Sequence, residues 1–455
     1  MKNKENAIVV GAGLVGSLWS ILLAKRGYKV DLYEQRSDVR KKGFIGGRSI
    51  NLAMSHRGWK ALEKAGVDQK IRELSIPMHG RMMHSTTGEL TFQPYGKQNE
   101  AIYSVSRGGL NLELLNIADS FENVTINFDE KCLGIDTKTK TVGFSNYATK
   151  EKTSQDADLI FGTDGAFSAV RDSIQRRPRF NYSQDYLEHG YKELSIPPLP
   201  NGDFALDKNA LHIWPRGHFM LIALPNIDGS FTCTLFLPFE GEVSFEKLTD
   251  NETVLAFFEK YFADTIPLIP NLLEEFSENP TSGLVTVKCS PWSYANKVML
   301  MGDASHAIVP FYGQGMNSGF EDCTVLDELI DINEGDWLET FKEFNDARIT
   351  DANAISELAK RNFVEMRDSV GNDLFLLRKK IEKHLNKKYP KQFLPVYSMV
   401  SFSHIRYSEA LAELDRQDKL FERILKIDDI KNNWADNPQV DVVFLEWHES
   451  FLINN

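Results

Sequence analysis

Three glycines and an acid near the start of the chain have the types and spacing to hold a pyrophosphate. Gly11, Gly13 and Gly16 follow an apolar strand at residues 7–10 and open a helical pattern carrying Trp19, Leu22 and Leu23, while Glu34 closes a second strand at 29–33. In a strand-turn-helix unit of this kind the glycines permit the tight turn, a close approach to the pyrophosphate and close helix packing. The acid about twenty residues on takes the ribose hydroxyls. A second constellation lies near residue 300. An apolar strand at 298–301 stops at Gly302 and Asp303, and a Pro/Gly-rich loop leads through Gln314, Gly315, Met316 and Asn317 into a helix with Met316, Phe320, Cys323, Leu326 and Leu329 on one face. Asp303 at a strand end can accept a hydrogen bond from a sugar-alcohol hydroxyl. The N–H groups of residues 315–317, at the positive end of the helix dipole, suit a ring that gains negative charge on reduction, which is flavin chemistry. An Asp that merely forms a turn would read the same in isolation.

A third turn, Asp164-Gly165, ends a strand at 159–162 and has Arg171 in the helix after it; beside the glycine motif it supports the flavin reading and makes Asp164 a cofactor-binding candidate, although alone it would be an ordinary Asp-Gly turn. No second Gly-x-Gly-x-x-Gly occurs. A nicotinamide coenzyme as resident ligand would leave Gly302 and Asp303 without a task, so the resident dinucleotide is read as non-covalent FAD. Arg48 and Arg57, in a loop and helix start at 46–58, are cations available to a phosphate or simply solvated. Arg107 opens a helix with Leu110, Leu112, Leu114 and Leu115 and places a cation near the dinucleotide end.

These turns require a dinucleotide-binding domain that is discontinuous in sequence. Short alternating segments at 80–85, 90–95 and 102–105 read as sheet, and a meander at 211–215, 219–224 and 231–237 turns at Arg216-Gly217 and Asp228-Gly229. Met220, Ile222 and Leu224 share one face, which Phe236 joins from the next strand; such a row serves as plain core or as the cover of a flat ligand. Strand character returns at 284–288, read with 298–301 as the dinucleotide domain resumed. Beyond residue 322 the pattern is almost wholly helical, and the last twenty or so residues read as polar and loosely ordered. The expected architecture is an α/β, Rossmann-type FAD-binding domain (1–180, with substrate-side strands at about 78–105, resumed at 286–330). It carries an inserted, mainly antiparallel sheet domain (181–285) and a C-terminal helical region (331–455).

With 455 residues the chain exceeds one ordinary core, and 42% hydrophobic with 25% charged residues is a globular composition. A net charge of −12 argues against nucleic acid or an anionic membrane as the main partner. Cys132, Cys233, Cys289 and Cys323 lack CxxC spacing, so neither a metal site nor a disulfide framework is indicated. No apolar run approaches a bilayer span, and the expected location is cytoplasmic. The oligomeric state, a dimer included, is left open.

Taken together, the 11–16, 164–165 and 302–317 segments resemble the single-component FAD-dependent aromatic hydroxylases. Longer strings, among them GRSINLAMSHRG, RMMHS, PRFNYSQDYLEHGY, LHIWPRG, SFTCTLFLPFE, HAIVPFYGQGMNSGFEDC and NFVEMR, resemble the kynurenine-hydroxylating members over residues 7 to about 410. The resemblance implies that L-kynurenine is hydroxylated, in tryptophan catabolism, with transiently bound NADPH and dioxygen. It further implies that the flavin, through its C(4a)-hydroperoxide, rather than any side chain, performs the chemistry. It places Val15, Tyr33, Glu34, Gln35, Arg36, Ala53, Arg107, Cys132, Asp303, Met316 and Asn317 at the FAD. It assigns Arg81, Tyr95, Asn362 and Tyr397 to the substrate's amino-acid head, with Leu211, Met220, Ile222, Leu224, Phe236, Ile308, Pro310 and Gln314 around its ring and carbonyl. Eukaryotic members carry a hydrophobic C-terminal anchor, whereas this chain reads polar there, which implies a form without a membrane anchor. Rival readings are a related flavoprotein with another aromatic substrate or an oxidase activity, and a non-enzymatic prenyl-GTPase escort protein of similar fold.

Overall fold

The computed structural model describes residues 5–41, 51–96, 100–139, 141–366 and 373–454, so Arg48 and most of its loop lie outside the described residues. The fold is the expected mixed α/β architecture with a helical C-terminal region. A six-stranded sheet has the order Ser293–Tyr294, Val298–Leu300, Leu159–Gly162, Asn6–Val10, Lys29–Tyr33, Val124–Asn127. Its five longer strands run parallel, as in the register Ile8↔Ile160 and Ile8↔Asp31. Parallel strands are covered on both faces, so they read as continuous apolar runs: Leu159–Gly162 and Val298–Leu300 are buried throughout. The Leu14–Lys25 helix packs against this sheet and between the Arg107–Asp119 and Gly315–Ile332 helices, which is why Ser17 and Ser20 are buried along with Leu18, Trp19, Ile21 and Leu23.

A seven-stranded sheet has the order Ser282–Ser290, Asn181–Ile196, Phe231–Pro238, Met220–Pro225, Ala210–Pro215, Gly80–His84, Leu90–Pro94. The strand read at 284–288 as part of the dinucleotide domain is instead the edge of this sheet, pairing antiparallel with Asn181–Ile196. Its apolar pattern fits either sheet; only the long, otherwise polar partner strand distinguishes them. Pairing in the large sheet is antiparallel except where Ala210–Pro215 lies parallel to Gly80–His84 and sets Leu211 opposite Arg81. The period of two along the strands splits their side chains between two cores. Leu221, Leu235 and Trp214 face the Asn251–Tyr261 and Leu272–Glu278 helices, whereas Met220, Ile222, Phe236 and Ile213 face the C-terminal helices.

The tail corrects the expectation of loose order, because Pro438–Asn454 is a helix. Val440, Phe444 and Trp447 fall at helical spacing on one face and are buried against Leu377, Ile381, Phe393 and Phe421. Polar composition hid that stripe.

Candidate functional site

At the dinucleotide turn, Gly11 has φ +98° and donates its N–H to the Tyr33 carbonyl at 2.7 Å. A β-carbon there would lie 2.6 Å from the Thr163 carbonyl oxygen, and one on Gly16 would lie 2.0 Å from the Gly11 oxygen, so both glycines are demanded by backbone packing. Gly13 differs: a β-carbon on it would meet nothing within 4 Å. The protein itself does not need a glycine there, but a ligand approaching the backbone does. The helix that starts at Leu14 has no side-chain cap and no acid in its first turn, so its positive end is left for an anion. Glu34, buried at the end of the second strand, accepts from the Ala12 N–H at 3.0 Å and from the Arg36 N–H and Nε at 3.0 and 2.9 Å. These features fit a dinucleotide.

Gly302, at φ +58° and ψ −142°, turns the chain out of the Val298–Leu300 strand and leaves the Asp303 carboxylate exposed. A β-carbon on Gly302 would sit 2.9 Å from Val15 Cγ2, and one on Gly319 would sit 2.7 Å from the same atom. Val15 therefore locks the glycine turn, the strand end and the Gly315–Ile332 helix together. That helix too starts without a side-chain cap or an acid in its first turn. Asn317 fastens it to the neighbouring strand, with Nδ2 donating to the Ala53 and Gly313 carbonyls at 2.8 Å each and Oδ1 accepting from the Ser55 N–H at 2.9 Å. Met316 is buried and Gly315 stands open beside Ile308.

The substrate-side candidates converge. Tyr95 stacks on Tyr397, ring centroids 5.2 Å apart and planes at 12°, and Tyr397 stacks in turn on Tyr312 at 5.6 Å. The Arg81 guanidinium lies over both Tyr397 and Tyr95, at 4.9 and 5.6 Å from their centroids. Arg81 Nε and the Tyr95 hydroxyl are buried and make no well-formed hydrogen bond to a described residue, although the hydroxyl lies close to Arg81 and Tyr397. Burial works against the charge on Arg81, but Tyr397, Tyr95 and Glu365 outweigh it and its pKa stands above the ordinary value; burial also pushes the Tyr95 and Tyr312 phenols up, so both stay protonated. A permanent cation beside a neutral, unsatisfied hydroxyl has the chemistry to receive a carboxylate. Beside it, Leu211, Ile222 and Tyr397 belong to two apolar clusters at once. One holds Met220, Phe236 and Ile308; the other holds Leu224, Tyr95 and Ala53 and so reaches the FAD-side candidates. Pro310 opens a single helical turn, Pro310–Tyr312, after which Gly313 at φ +68° leads to Gln314, 1% exposed. Asn362 is buried and donates to the Phe311 carbonyl at 2.8 Å.

The FAD binding domain family model matches residues 4–332. The chain is 50% identical over 446 residues to the kynurenine 3-monooxygenase of Flavobacterium johnsoniae, covering 98% of this chain and 99% of that one. It is 47% identical over 426 residues to that of Sus scrofa, covering 93% and 89%. The chain belongs to the kynurenine 3-monooxygenase family. Among solved structures, 2-methyl-3-hydroxypyridine-5-carboxylic acid oxygenase superposes with a TM-score of 0.66 at 20% identity, covering 84% of this chain and 97% of that one. The p-nitrophenol 4-monooxygenase PnpA of Pseudomonas putida gives 0.66 at 19% identity, covering 91% and 98%. These last two likenesses bear on the fold. FAD is the cofactor of the family's binding domain.

Within this member of the family the remaining candidates divide. Tyr33 stacks on Phe144 at 3.9 Å, and Gln35, Arg36 and Arg107 are exposed. Cys132 is buried in the strand next to Phe144, its thiol pushed up to about 12 by burial and by Asp164. Asp164 is engaged within the protein, accepting from Ser168 Oγ and from the Ala169 and Val170 N–H groups at 2.8 and 3.2 Å, so its carboxylate serves the start of the Ala169–Ile174 helix. Arg57 is neither solvated nor free for a phosphate: it is buried, pairs with Glu321 and lies 3.9 Å from the Tyr407 ring centroid. Tyr312, Phe311 and Tyr407 went unread in the sequence. The first two stand in the PFYGQG string beside residues already singled out, whereas Tyr407 gives no local signal.

Proposed function

We propose that this chain hydroxylates L-kynurenine on the ring carbon ortho to the amino group, giving 3-hydroxykynurenine and water, with FAD resident and NADPH and dioxygen as co-substrates. One observation carries the substrate assignment: Arg81 Nε and the Tyr95 hydroxyl, buried without a well-formed hydrogen bond among the described residues, stand at the end of an apolar sheet face that reaches the FAD-binding domain at Ala53. Arg81, with Tyr95, Asn362 and Tyr397, would receive the amino-acid head, since a guanidinium fork matches a carboxylate. Leu211, Met220, Ile222, Leu224, Phe236, Ile308 and Pro310 would enclose the ring, and Gln314 its carbonyl. On the cofactor side, the Gly13 turn and Glu34 would take the pyrophosphate and ribose, Asp303 a ribityl hydroxyl, and the start of the Gly315–Ile332 helix the electron-rich edge of the flavin.

FAD supplies the redox chemistry when bound, taking up a hydride and activating dioxygen. The chain's part is to hold the substrate ring against it and to keep water out, which the apolar sheet face and the stacked Tyr95, Tyr397 and Tyr312 rings are built to do. We place the reaction in the cytoplasm. In support, no helix among the described residues is long and apolar enough to cross a membrane, and the four cysteines are free and buried.

The test is aerobic incubation of the yellow holoprotein with L-kynurenine and NADPH, with the product identified by mass and peroxide measured in parallel. The reading expects 3-hydroxykynurenine to account for most of the NADPH oxidised. NADPH consumption that yields only hydrogen peroxide would overturn it.

A further inference from the structure

Behind the aromatic pocket, a buried chain of side chains runs from Gln314 into the C-terminal helices. The Tyr407 hydroxyl lies 2.9 Å from Gln314 Oε1, and Ser55 Oγ lies 3.4 Å from the same atom. Tyr407 is fully buried and opens the Tyr407–Ile424 helix. Beneath its ring, 3.9 Å from the centroid, is the Arg57 guanidinium. Arg57 is itself fastened, donating to Glu321, to the Ile405 carbonyl and, at 3.4 Å, to the Val400 carbonyl. Glu321 also binds Arg348, whose Nε donates to Asp322 at 2.9 Å.

A hydroxyl can donate or accept, so a carboxamide beside two hydroxyls could face either way. The cation under the Tyr407 ring decides. It draws electron density out of the phenol, which strengthens the O–H as a donor and weakens the oxygen as an acceptor. Tyr407 therefore donates, Gln314 presents its oxygen to it, and the Gln314 NH₂ group is turned the other way. That nitrogen makes no hydrogen bond to a described residue, although the side chain is 1% exposed. An amide donor left open at the edge of an apolar pocket gains an acceptor from the ligand that fills it.

We infer that Tyr407 is a positioning residue: held over Arg57, it fixes the Gln314 carboxamide so that its NH₂ donates to the ketone oxygen conjugated with the substrate's ring. This deepens the proposed function and rests on it. The ketone hydrogen bond would set the rotation of the aryl group, and with it which ring carbon faces the flavin.

The experiment titrates the FAD holoprotein, without NADPH, with two ligands and follows the flavin absorbance. One ligand is L-kynurenine, and the other is its analogue with the ketone reduced to a methylene. Tyr407→Phe is expected to weaken L-kynurenine binding about tenfold, to leave the analogue's affinity within about twofold, and to divert NADPH toward peroxide. Gln314→Leu, which leaves Tyr407 in place, is expected to show the same ketone-selective loss, and adding Tyr407→Phe to it should do nothing more. Equal weakening of both ligands, no loss in either variant, or a full Tyr407 effect in the Gln314→Leu background would overturn the inference. A wild-type protein that does not hydroxylate L-kynurenine would instead overturn the function on which it rests.

Discussion

The guanidinium of Arg81 lies 4.9 Å from the ring centroid of Tyr397, joining a strand of the large sheet to the Val396–Phe402 helix far along the chain. The two aromatic rings flank the guanidinium, while Nε is buried without a hydrogen-bond partner among the described residues. Arg81→Met is therefore expected to leave FAD content unchanged and to lower kcat/KM for L-kynurenine. A carboxylate left unpaired in a desolvated pocket costs roughly 2–5 kcal/mol, about 30-fold or more. Arg107→Met, at an exposed helix start proposed to lie beside the FAD, should weaken FAD retention and leave KM for L-kynurenine near wild type. Steady-state kinetics with FAD-to-protein ratios on both variants checks the contrast; wild-type kcat/KM in Arg81→Met would place the substrate head elsewhere.

Two glycines of one turn should behave differently. A β-carbon at Gly16 meets the Gly11 oxygen at 2.0 Å, so Gly16→Ala must move backbone and is expected to lower the Tm of the apoprotein as well as FAD occupancy. A β-carbon at Gly13 meets nothing, so Gly13→Ala should leave the apoprotein's Tm within a degree or two and yet weaken FAD at least about tenfold, by filling the space a pyrophosphate needs. Apoprotein melting and FAD binding by fluorescence quenching separate the two. Unchanged FAD affinity in Gly13→Ala would show that the pyrophosphate does not pass there.

What the sequence made legible was local. The glycine turn, the strand ending at Gly302 and the face shared by Met220 and Ile222 each follow from a period or a spacing within a few residues, and the structure has them in place. Pairings between distant segments were not legible. Arg57 read as a phosphate cation or a solvated one because nothing near it announces Glu321 or Tyr407. Residues 284–288 carry an apolar pattern that suits either sheet, and their membership is fixed by Tyr186 and Gln184 across from them. Resemblance, rather than periodicity, brought Arg81 and Tyr397 onto one site.

A pair of histidines on the large sheet should make stability depend on pH. His212 Nε2 donates to the Asp207 carbonyl at 2.8 Å, so its Nδ1 must accept from His84 Nε2, 2.9 Å away. Burial, reinforced by His84, pushes His212 down to about 4, against the raising effect of the Asp207 carbonyl. An unfolded histidine titrates near 6.5, so between pH 6.5 and 4 the unfolded chain binds the extra proton. The contribution, up to about 3 kcal/mol, is complete above pH 6.5 and is lost as pH falls toward 4. The Tm is expected to drop between pH 7.5 and 5, and His212→Gln, which does not titrate, should drop less. Parallel pH profiles of the two proteins would contradict this.

Asp322 ties the fold's stability to the strand end that carries Asp303. It is fully buried; Oδ2 accepts from the Gly302 N–H at 2.9 Å and meets His306 Nε2 at 2.6 Å, and Oδ1 accepts from Arg348 Nε at 2.9 Å. Burial alone would raise its pKa, but His306 and Arg348 outweigh it and hold the carboxyl below the usual carboxylate range. Its contribution is thus present above the unfolded value near 3.9 and is lost as pH falls below that. Asp322→Asn removes the charge at every pH, takes one negative partner from the buried Arg348 and turns an NH₂ group toward the Gly302 N–H or the Arg348 Nε–H. Breaking a buried pair from one side costs about 3–5 kcal/mol, so a fall in Tm of several degrees is expected at pH 7. Because the Gly302 N–H bond also sets where Asp303 stands, FAD affinity should fall with it. If Asp322→Asn melts with the wild type, the carboxylate contributes nothing to the fold; if it melts early but binds FAD unchanged, Gly302 is positioned by Val15 alone.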